Sequence, residues 1–384
     1  MSRQKLLFVA TEDWFFASHF LPMARAAREL GLDVAVIARE RNHRRVIEAT
    51  GARLIALEAE RRSLDPRALF KQVGALKRLI AAEQPDILHC IALKPIALAG
   101  FAGKRAGVDR RVYALTGLGF LGARQGLLAA AARLAAIAWL RGAIDGPQVR
   151  FLFENPDDPV TLGLDPQDAA KVALVGGAGV DPLILMPSPM PPAPPLKVAL
   201  VARMLWSKGV DLAVEAVRLA RAEGAKVELT IHGAPDPSNP KAIPEAMLKE
   251  WAARPGIAWA GPTRDVEAVW KAHHLCMLPS RGGEGLPRTI LEAAACGRPI
   301  LTTDVPGCRS FVREGEDGMV VPAGDAAALA KALIVFARAP GLAERMGANA
   351  RARLLAGHTE RDVMNAVKAL YRGLLAGPAV EQVA

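Results

Sequence analysis

The stretch Pro279-Ser280-Arg281-Gly282-Gly283-Glu284-Gly285-Leu286-Pro287 places a carboxylate among glycines, and Glu292 follows eight residues after Glu284. Pro287 suits the first position of a helix, and Gly297, with Pro299 behind it, suits the left-handed stop. A glycine-rich loop that ends in free helix N–H groups is a ready site for phosphate. One acid at its mouth and one inside the helix would then bracket a nucleotide sugar. The same residues also fit a plain surface helix with acids near its start. A second group stands earlier, where the apolar run Val198–Ala202 delivers Arg203 and Lys208 follows five residues on, just before Gly209. Arginine offers a planar fork for two phosphate oxygens and lysine a mobile point charge. Together they would hold a diphosphate and absorb the charge that grows as it leaves; alone, the pair fits a solvated loop as well.

Other constellations carry less. Gly117-Leu118-Gly119-Phe120-Leu121-Gly122 satisfies G-x-G-x-x-G between a strand and a helix. A dinucleotide site wants an acid about twenty residues on, and Glu154 comes too late. No D-x-D sequence occurs, the acid pair with which metal-dependent sugar transferases hold a divalent ion on a diphosphate. The expectation is a site without metal or other cofactor, in which Arg203, Lys208 and the helix dipole do that work. The seven histidines show no metal spacing, and adjacent His273 and His274 read as structural.

The elements that must position these residues alternate strand and helix. Apolar strands are expected at Lys5–Ala10, Asp33–Ala38, Arg53–Leu57, Asp86–Cys90, Arg111–Leu115 and Val149–Phe153, with helices between them such as Ser18–Leu30, Asp65–Ala82 and Leu93–Ala106. Near-continuous apolar strands alternating with helices predict a parallel sheet covered on both faces. Six prolines in the ten residues Met186–Pro195 cannot join a helix or an inner strand, and they read as a stiff, extended interdomain linker. The alternation restarts with strands at Lys197–Ala202, Lys226–His232, Ile257–Ala260, Cys276–Leu278 and Pro299–Thr302, and the chain ends in helices, the last at Thr359–Leu375. The fold class is α/β, with two Rossmann-like domains facing across a cleft. The boundaries are 1–185, a linker at 186–195, 196–358, and a C-terminal helix over 359–384 that crosses back to the first domain. Ligands in such folds bind beyond the carboxyl ends of the strands.

At 384 residues and 51% hydrophobic content the chain is globular, with material for real cores. Its net charge of +10 fits an acidic substrate, nucleic acid or an anionic membrane. No aromatic–basic platform or zinc finger supports nucleic acid. Four cysteines without a C-x-x-C pair fit a reducing compartment, and the N-terminus reads as a strand, not a signal peptide. The apolar run Leu127–Leu140, interrupted by Arg133 and flanked by Arg124 and Arg141, is too short to span a bilayer. It reads as a buried crossover helix or as a helix resting on an anionic membrane. Trp14, Phe15 and Phe16 read as exposed aromatics for a lipid or as core.

The pieces Arg203…Lys208-Gly209, Glu284-x7-Glu292, Pro299–Asp304 and Asp317-Gly318…Val321-Pro322 resemble the retaining GT-B glycosyltransferases of family 4. Asp86–His89, Lys94-Pro95, Thr116–Phe120 and Phe153–Asp158 resemble the branch that builds bacterial capsule, O-antigen and lipid-linked oligosaccharides. The resemblance implies a hexose-type sugar moved from a nucleotide diphosphate, expected to be a UDP-sugar, to a polysaccharide or lipid-linked glycan. It implies Arg203 and Lys208 on the diphosphate, Glu284 on the sugar hydroxyls, the Gly285 and Leu286 N–H groups facing sugar or phosphate, Glu292 on the ribose, and Gly261–Arg264 by the base. Arg203, Lys208 and Glu284 are the expected catalytic residues. On the acceptor side it points to Ser18, His19, Thr116 and Gly117. Two departures stand out: Thr11–His19 replaces the family's Gly-Gly turn, and Thr116 sits where some relatives have histidine. The expected location is cytoplasmic, peripheral at the inner face of the membrane, with no nucleic-acid partner. A nucleotide-sugar epimerase of similar fold and a non-catalytic sugar-binding protein are the alternatives.

Overall fold

A computed structural model describes residues 3–57, 66–118, 127–236 and 239–376. The chain divides into two compact units: residues 1–179 with 360–384, and residues 180–359.

Unit 1 is a seven-stranded parallel sheet. Its strands are β1 (Lys5–Glu12), β2 (Asp33–Arg39), β3 (Arg53–Ala56), β4 (Ile87–Ile91), β5 (Arg111–Leu115), β6 (Val149–Phe153) and β7 (Val172–Leu174), in the order β3-β2-β1-β4-β5-β6-β7. Alternation explains why its central strands are apolar throughout. Leu6 and Phe8 of β1 enter one core, while Leu7 and Val9 enter the other. The first core is covered by α1 (Asp13–His19), α2 (Leu21–Glu29), α3 (Arg44–Glu48) and the last helix, Glu360–Ala376. The second is covered by α4 (Pro66–Glu83), α5 (Leu93–Arg105) and a π-helical turn, Leu140–Ile144, that continues α6 (Leu127–Trp139); α7 (Asp157–Thr161) follows β6.

Unit 2 is a six-stranded parallel sheet. It holds β8 (Leu196–Val201), β9 (Val227–His232), β10 (Ile257–Gly261), β11 (Leu275–Leu278), β12 (Ile300–Thr303) and β13 (Gly318–Val321), ordered β10-β9-β8-β11-β12-β13. Its helices are α8 (Val210–Ala222), α9 (Glu245–Ala252), α10 (Val266–Ala272), α11 (Arg288–Ala295), α12 (Pro306–Arg309), α13 (Ala326–Arg338) and α14 (Pro340–Leu355). The helix Glu360–Ala376, α15, belongs to unit 1, where His89 Nδ1 and the Tyr371 hydroxyl meet at 2.8 Å inside an apolar core. Burial holds that histidine neutral, its pKa pushed down to about 3.

The strands and helices read from the sequence are observed, with β7 added to them and local differences elsewhere. The helix expected at Ser18–Leu30 is two helices, broken at Phe20. Phe16 is fully buried against Phe8 and Phe20, and Trp14 and Phe15 are half-buried, so this trio is not a free aromatic surface. Pro287 is extended and stands just before the helix rather than as its first residue.

The proline-rich run lies inside unit 2, and the chain divides ahead of it, at Gly179/Val180. Arg298, almost wholly buried, explains its attachment. Its guanidinium donates to the carbonyls of Trp270 (2.7 Å), Ser188 (2.8 Å) and Pro189 (3.1 Å) and to Ser188 Oγ (2.7 Å). His274 Nδ1 accepts from the Lys197 amide (3.0 Å), so its Nε2–H donates to the Pro191 carbonyl (2.9 Å). Desolvation lowers the pKa of both groups. His273 Nδ1–H donates to the Val269 carbonyl (2.7 Å), so both histidines serve the fold.

No single described helix is long and apolar enough to cross a membrane. One bent pair, Ala326–Arg338 with Gly341–Leu355, passes on length and composition, but its Leu333, Phe336, Ala350 and Leu354 are core of unit 2.

Candidate active site

In unit 2 the strand order reverses between β8 and β11, the crevice where open α/β sheets take ligands. The loops leaving these two strands carry the residues singled out from the sequence. Beyond β8 the chain runs through Arg203 to a short turn, Trp206–Lys208, and Gly209 starts α8 at φ +69°. Glycine is needed there twice over. The conformation is left-handed, and an added Cβ would sit 1.9 Å from the Pro279 carbonyl oxygen of the β11 loop.

The two loops are knitted together. The Arg281 guanidinium donates to both oxygens of Asp211 (2.8 and 2.7 Å) and to the Trp206 carbonyl (2.7 Å), and its amide donates to the Ser207 carbonyl (2.8 Å). The Asp211 partner raises the pKa of Arg281. Buried Ser280 organises the rest. Its hydroxyl donates to Glu284 Oε1 (2.9 Å) and accepts the Gly282 amide (3.2 Å), while its carbonyl accepts from Thr303 Oγ1. The other oxygen of Glu284 is ion-paired to Lys208 Nζ. Lys208 and Glu284 are 76 residues apart in sequence, and both are largely shielded from solvent, so the β8–β11 junction holds a fixed cation beside a fixed carboxylate.

Gly307 supports this loop from behind. A Cβ there would lie 1.5 Å from the Gly285 carbonyl oxygen and 2.6 Å from that of Glu284, so only glycine lets α12 press against this backbone. Gly285 and Leu286 are buried.

The remaining residues stand apart. Arg203, 44% exposed, pairs with Asp236 beyond β9 at 3.3 Å. Glu292 is buried in α11, where Arg288 Nε donates to it at 2.9 Å. Desolvation raises its pKa, against the pull of Arg288. Arg264 is exposed on the loop after β10, two strands from β8. In unit 1, Ser18 and His19 share a 2.6 Å hydrogen bond on α1, while Thr116 and Gly117 (φ +98°) follow β5. The second half of the glycine-rich match Gly117–Gly122, with Arg124 and the Arg133 side chain, lies outside the described residues. Among the described residues no His, Cys, Asp or Glu cluster is arranged to hold a metal. A groove of about 540 Å³ in unit 2 lies elsewhere, between Pro187–Met190 and α14.

Ser280, Arg281, Asp211, Asp236 and Gly307 received no role from the sequence. Ser280 and Arg281 sat inside a quoted run, but the function of all five depends on which loops the sheet order makes neighbours.

Two doubly wound parallel units, the second with a lysine–glutamate pair at its switch point, have the GT-B architecture. Residues 195–338 match the family described as Glycosyl transferases group 1, and residues 5–139 match Glycosyl transferase 4-like. The chain belongs to these group 1, 4-like glycosyltransferases. It is 32% identical over 176 residues to WcaL of Escherichia coli, a protein named for colanic acid biosynthesis; that match covers 44% of this chain and only 42% of WcaL. It is 24% identical over 318 residues to the Campylobacter jejuni N,N'-diacetylbacillosaminyl-diphospho-undecaprenol alpha-1,3-N-acetylgalactosaminyltransferase, covering 78% of this chain and 81% of that one. Among solved structures, Anabaena HepE in complex with UDP-glucose superposes with a TM-score of 0.74 at 15% identity, covering 97% of this chain and 100% of that one.

Proposed function

We propose that this chain moves a hexose-type sugar from a UDP-sugar to a hydroxyl of a polysaccharide or lipid-linked glycan, with retention at the anomeric carbon. The observation that carries this reading is the pairing of Lys208 and Glu284 across the β8–β11 switch point, with Arg203 on the same β8 loop. The names of the C. jejuni relative and of HepE support the acceptor class and the donor class respectively.

Lys208 and Arg203 hold the diphosphate and neutralise charge as it departs. An exposed pair such as Arg203–Asp236 is worth about 0–1 kcal/mol, so a diphosphate readily displaces Asp236. Glu284, fixed by Ser280, accepts from the sugar hydroxyls, and Glu292 from the ribose. Arg264 lies toward the base, and Gly285 and Leu286 shape the wall by the sugar. The bond from the anomeric carbon to the diphosphate breaks as the acceptor oxygen attaches on the same face, and the departing phosphate oxygen takes the acceptor proton. With two cations at the phosphates, transfer proceeds without a metal. Unit 1, through Ser18, His19, Thr116 and Gly117, takes the acceptor, and the enzyme works at the cytoplasmic face of the membrane.

The test is release of UDP from UDP-sugars in the presence of membrane lipid extract and EDTA, with proton NMR of the product. The expected result is transfer that EDTA leaves intact, with an anomeric coupling matching the donor. Activity lost to EDTA and restored by magnesium or manganese overturns the metal-free step; an inverted coupling overturns retention.

A further inference from the structure

At the carboxyl ends of β1 and β2, polar groups are buried together and left without hydrogen-bond partners. β1 borders the point where the order of the unit 1 sheet reverses, with β4 on its other side. Its last residue, Glu12, follows a shift in register after Val9 and stands opposite Arg39, the last residue of β2. An extra residue of this kind re-aims the side chains at a strand end. Glu12 is only 6% exposed. Other buried carboxylates are satisfied: Asp13, Asp158, Glu292 and Asp317 each accept a hydrogen bond of 2.7–2.9 Å. Among the described residues the Glu12 carboxylate accepts none. Its ion pair with Arg39 Nε, at 3.6 Å, is longer than a hydrogen bond, and that Nε is itself buried without a hydrogen-bond partner.

The neighbouring pair repeats this. Asp13, fully buried at the start of α1, gives Oδ2 to the Arg41 and His43 amides, but its Oδ1 has no hydrogen-bond partner. Oδ1 faces His43 Nδ1 at 3.4 Å, and Nδ1 is buried without one as well. The rest of the imidazole opens outward, since the side chain is 40% exposed. The carboxylate favours the proton on Nδ1, which leaves the Nε2 lone pair free to accept. Buried polar groups are ordinarily paired, so a corner that holds four unpaired ones is built for contacts the chain itself does not supply. The mixture of signs selects the ligand. Two carboxylates repel an anion, and an arginine beside a histidine repels a cation. A neutral polyol suits both, because each hydroxyl donates and accepts.

We propose that Glu12, Arg39 and His43 form a saccharide subsite that recognises two adjacent hydroxyls of one sugar ring of the acceptor. One hydroxyl donates to Glu12 and accepts from Arg39; the next donates to His43 Nε2, whose orientation Asp13 holds. The subsite rests on the reading above for its assignment to the acceptor, and α1, which starts at Asp13, also carries Ser18 and His19. In that reading the reacting hydroxyl gives its proton to the departing phosphate. The hydroxyls held here are therefore its neighbours, and they set which acceptor is taken. The acid pair lies in the segment Thr11–His19 that replaces the family's Gly-Gly turn, so the subsite is a property of this chain.

The test is saturation-transfer NMR of the whole chain with the methyl hexopyranosides of glucose, galactose and mannose, with excess UDP present to fill the donor site. At least one hexoside is expected to bind, and its analogues deoxygenated at either of two adjacent carbons to lose the signal. Glu12→Gln and Arg39→Ala should each weaken binding about tenfold or more, and His43→Ala about fivefold. Each variant should keep its circular dichroism and its thermal shift with UDP, whereas Lys208→Ala should lose the UDP shift and keep the hexoside. Nitrogen NMR should show the His43 proton on Nδ1. Asp13→Asn should move it to Nε2 and weaken hexoside binding, a change that lost stability alone does not produce. Binding of none of the three hexosides, binding that all three variants retain, binding that UDP abolishes, or a wild-type proton on Nε2 overturns the proposal. A UDP shift without hexoside binding removes the subsite alone; hexoside binding without a UDP shift removes the donor-site reading alone.

Discussion

The carboxyl ends of the two sheets are built on different principles. In unit 2 the β8 and β11 loops are held to each other by charged side chains and close backbone contacts: Arg281 on Asp211, Ser280 on Glu284, Gly209 against Pro279. In unit 1 the loops after β1 and β2 are joined by one buried carboxylate, Asp13, which accepts the amides of Arg41 (2.7 Å) and His43 (3.0 Å). The first arrangement fixes the Lys208 cation beside the Glu284 carboxylate at the switch point. The second spends its charge on the backbone. On the proposed reading unit 2 handles phosphate, while Asp13 orders loops in unit 1, and each half of the contrast can be broken.

The largest effect is expected from Lys208→Ala. Removing the charge proposed to meet the leaving diphosphate should lower kcat about 100-fold or more, with the fold preserved by circular dichroism. Gly307→Ala comes next, because its Cβ must displace the Gly285 carbonyl. Donor KM should rise about tenfold or more; unchanged kinetics would show that the cradle does not need its backing. In unit 1, Asp13→Asn should cost about 1–2 kcal/mol, read as a lower Tm, with donor KM unchanged. Amide donors outweigh burial and hold the Asp13 pKa below its ordinary value. Its stabilisation is therefore present above the ordinary carboxylate range and is lost as pH falls toward the folded pKa. A Tm–pH profile of the variant should be flatter over that acidic window.

Two smaller effects sharpen the donor side. Burial raises the Glu292 pKa, so a ribose contact through its ionised form should fade as pH falls through a value above the ordinary glutamate range. UDP titrations by calorimetry should show that limb, and Glu292→Gln should remove it. Asp236→Asn should change donor KM by about fivefold at most, because it removes an exposed pair.

The sequence shows the fold wherever burial is complete. Strands such as Arg111–Leu115 and Val149–Phe153 are apolar because both faces are covered, and their limits match the structure to the residue. The three-residue strand Val172–Leu174 leaves too short a pattern to see. Phe16 stayed open between surface and core because nothing local says that Phe8 will meet it. Composition barred the proline run from any helix and read it as an interdomain linker, whereas the run lies inside unit 2, where Arg298 reaches back 110 residues to hold it. The site divides in the same way. Lys208 and Glu284 were marked by residue type and spacing, whereas Arg281 and Asp211 matter because β8 and β11 are neighbours, and Gly307 because β11 and β12 are. For Leu127–Leu140, composition favoured a buried helix over a membrane-facing one, and the described side chains of α6 are mostly exposed.

The central claim is that Arg203 and Lys208 receive a diphosphate at the β8–β11 junction. The direct measurement is isothermal titration of UDP and of uridine into the wild-type chain and the Arg203→Ala, Lys208→Ala double variant. The account predicts that UDP binds the wild type far more tightly than uridine does, and that the double variant binds both equally weakly. UDP affinity unchanged in the double variant would contradict it.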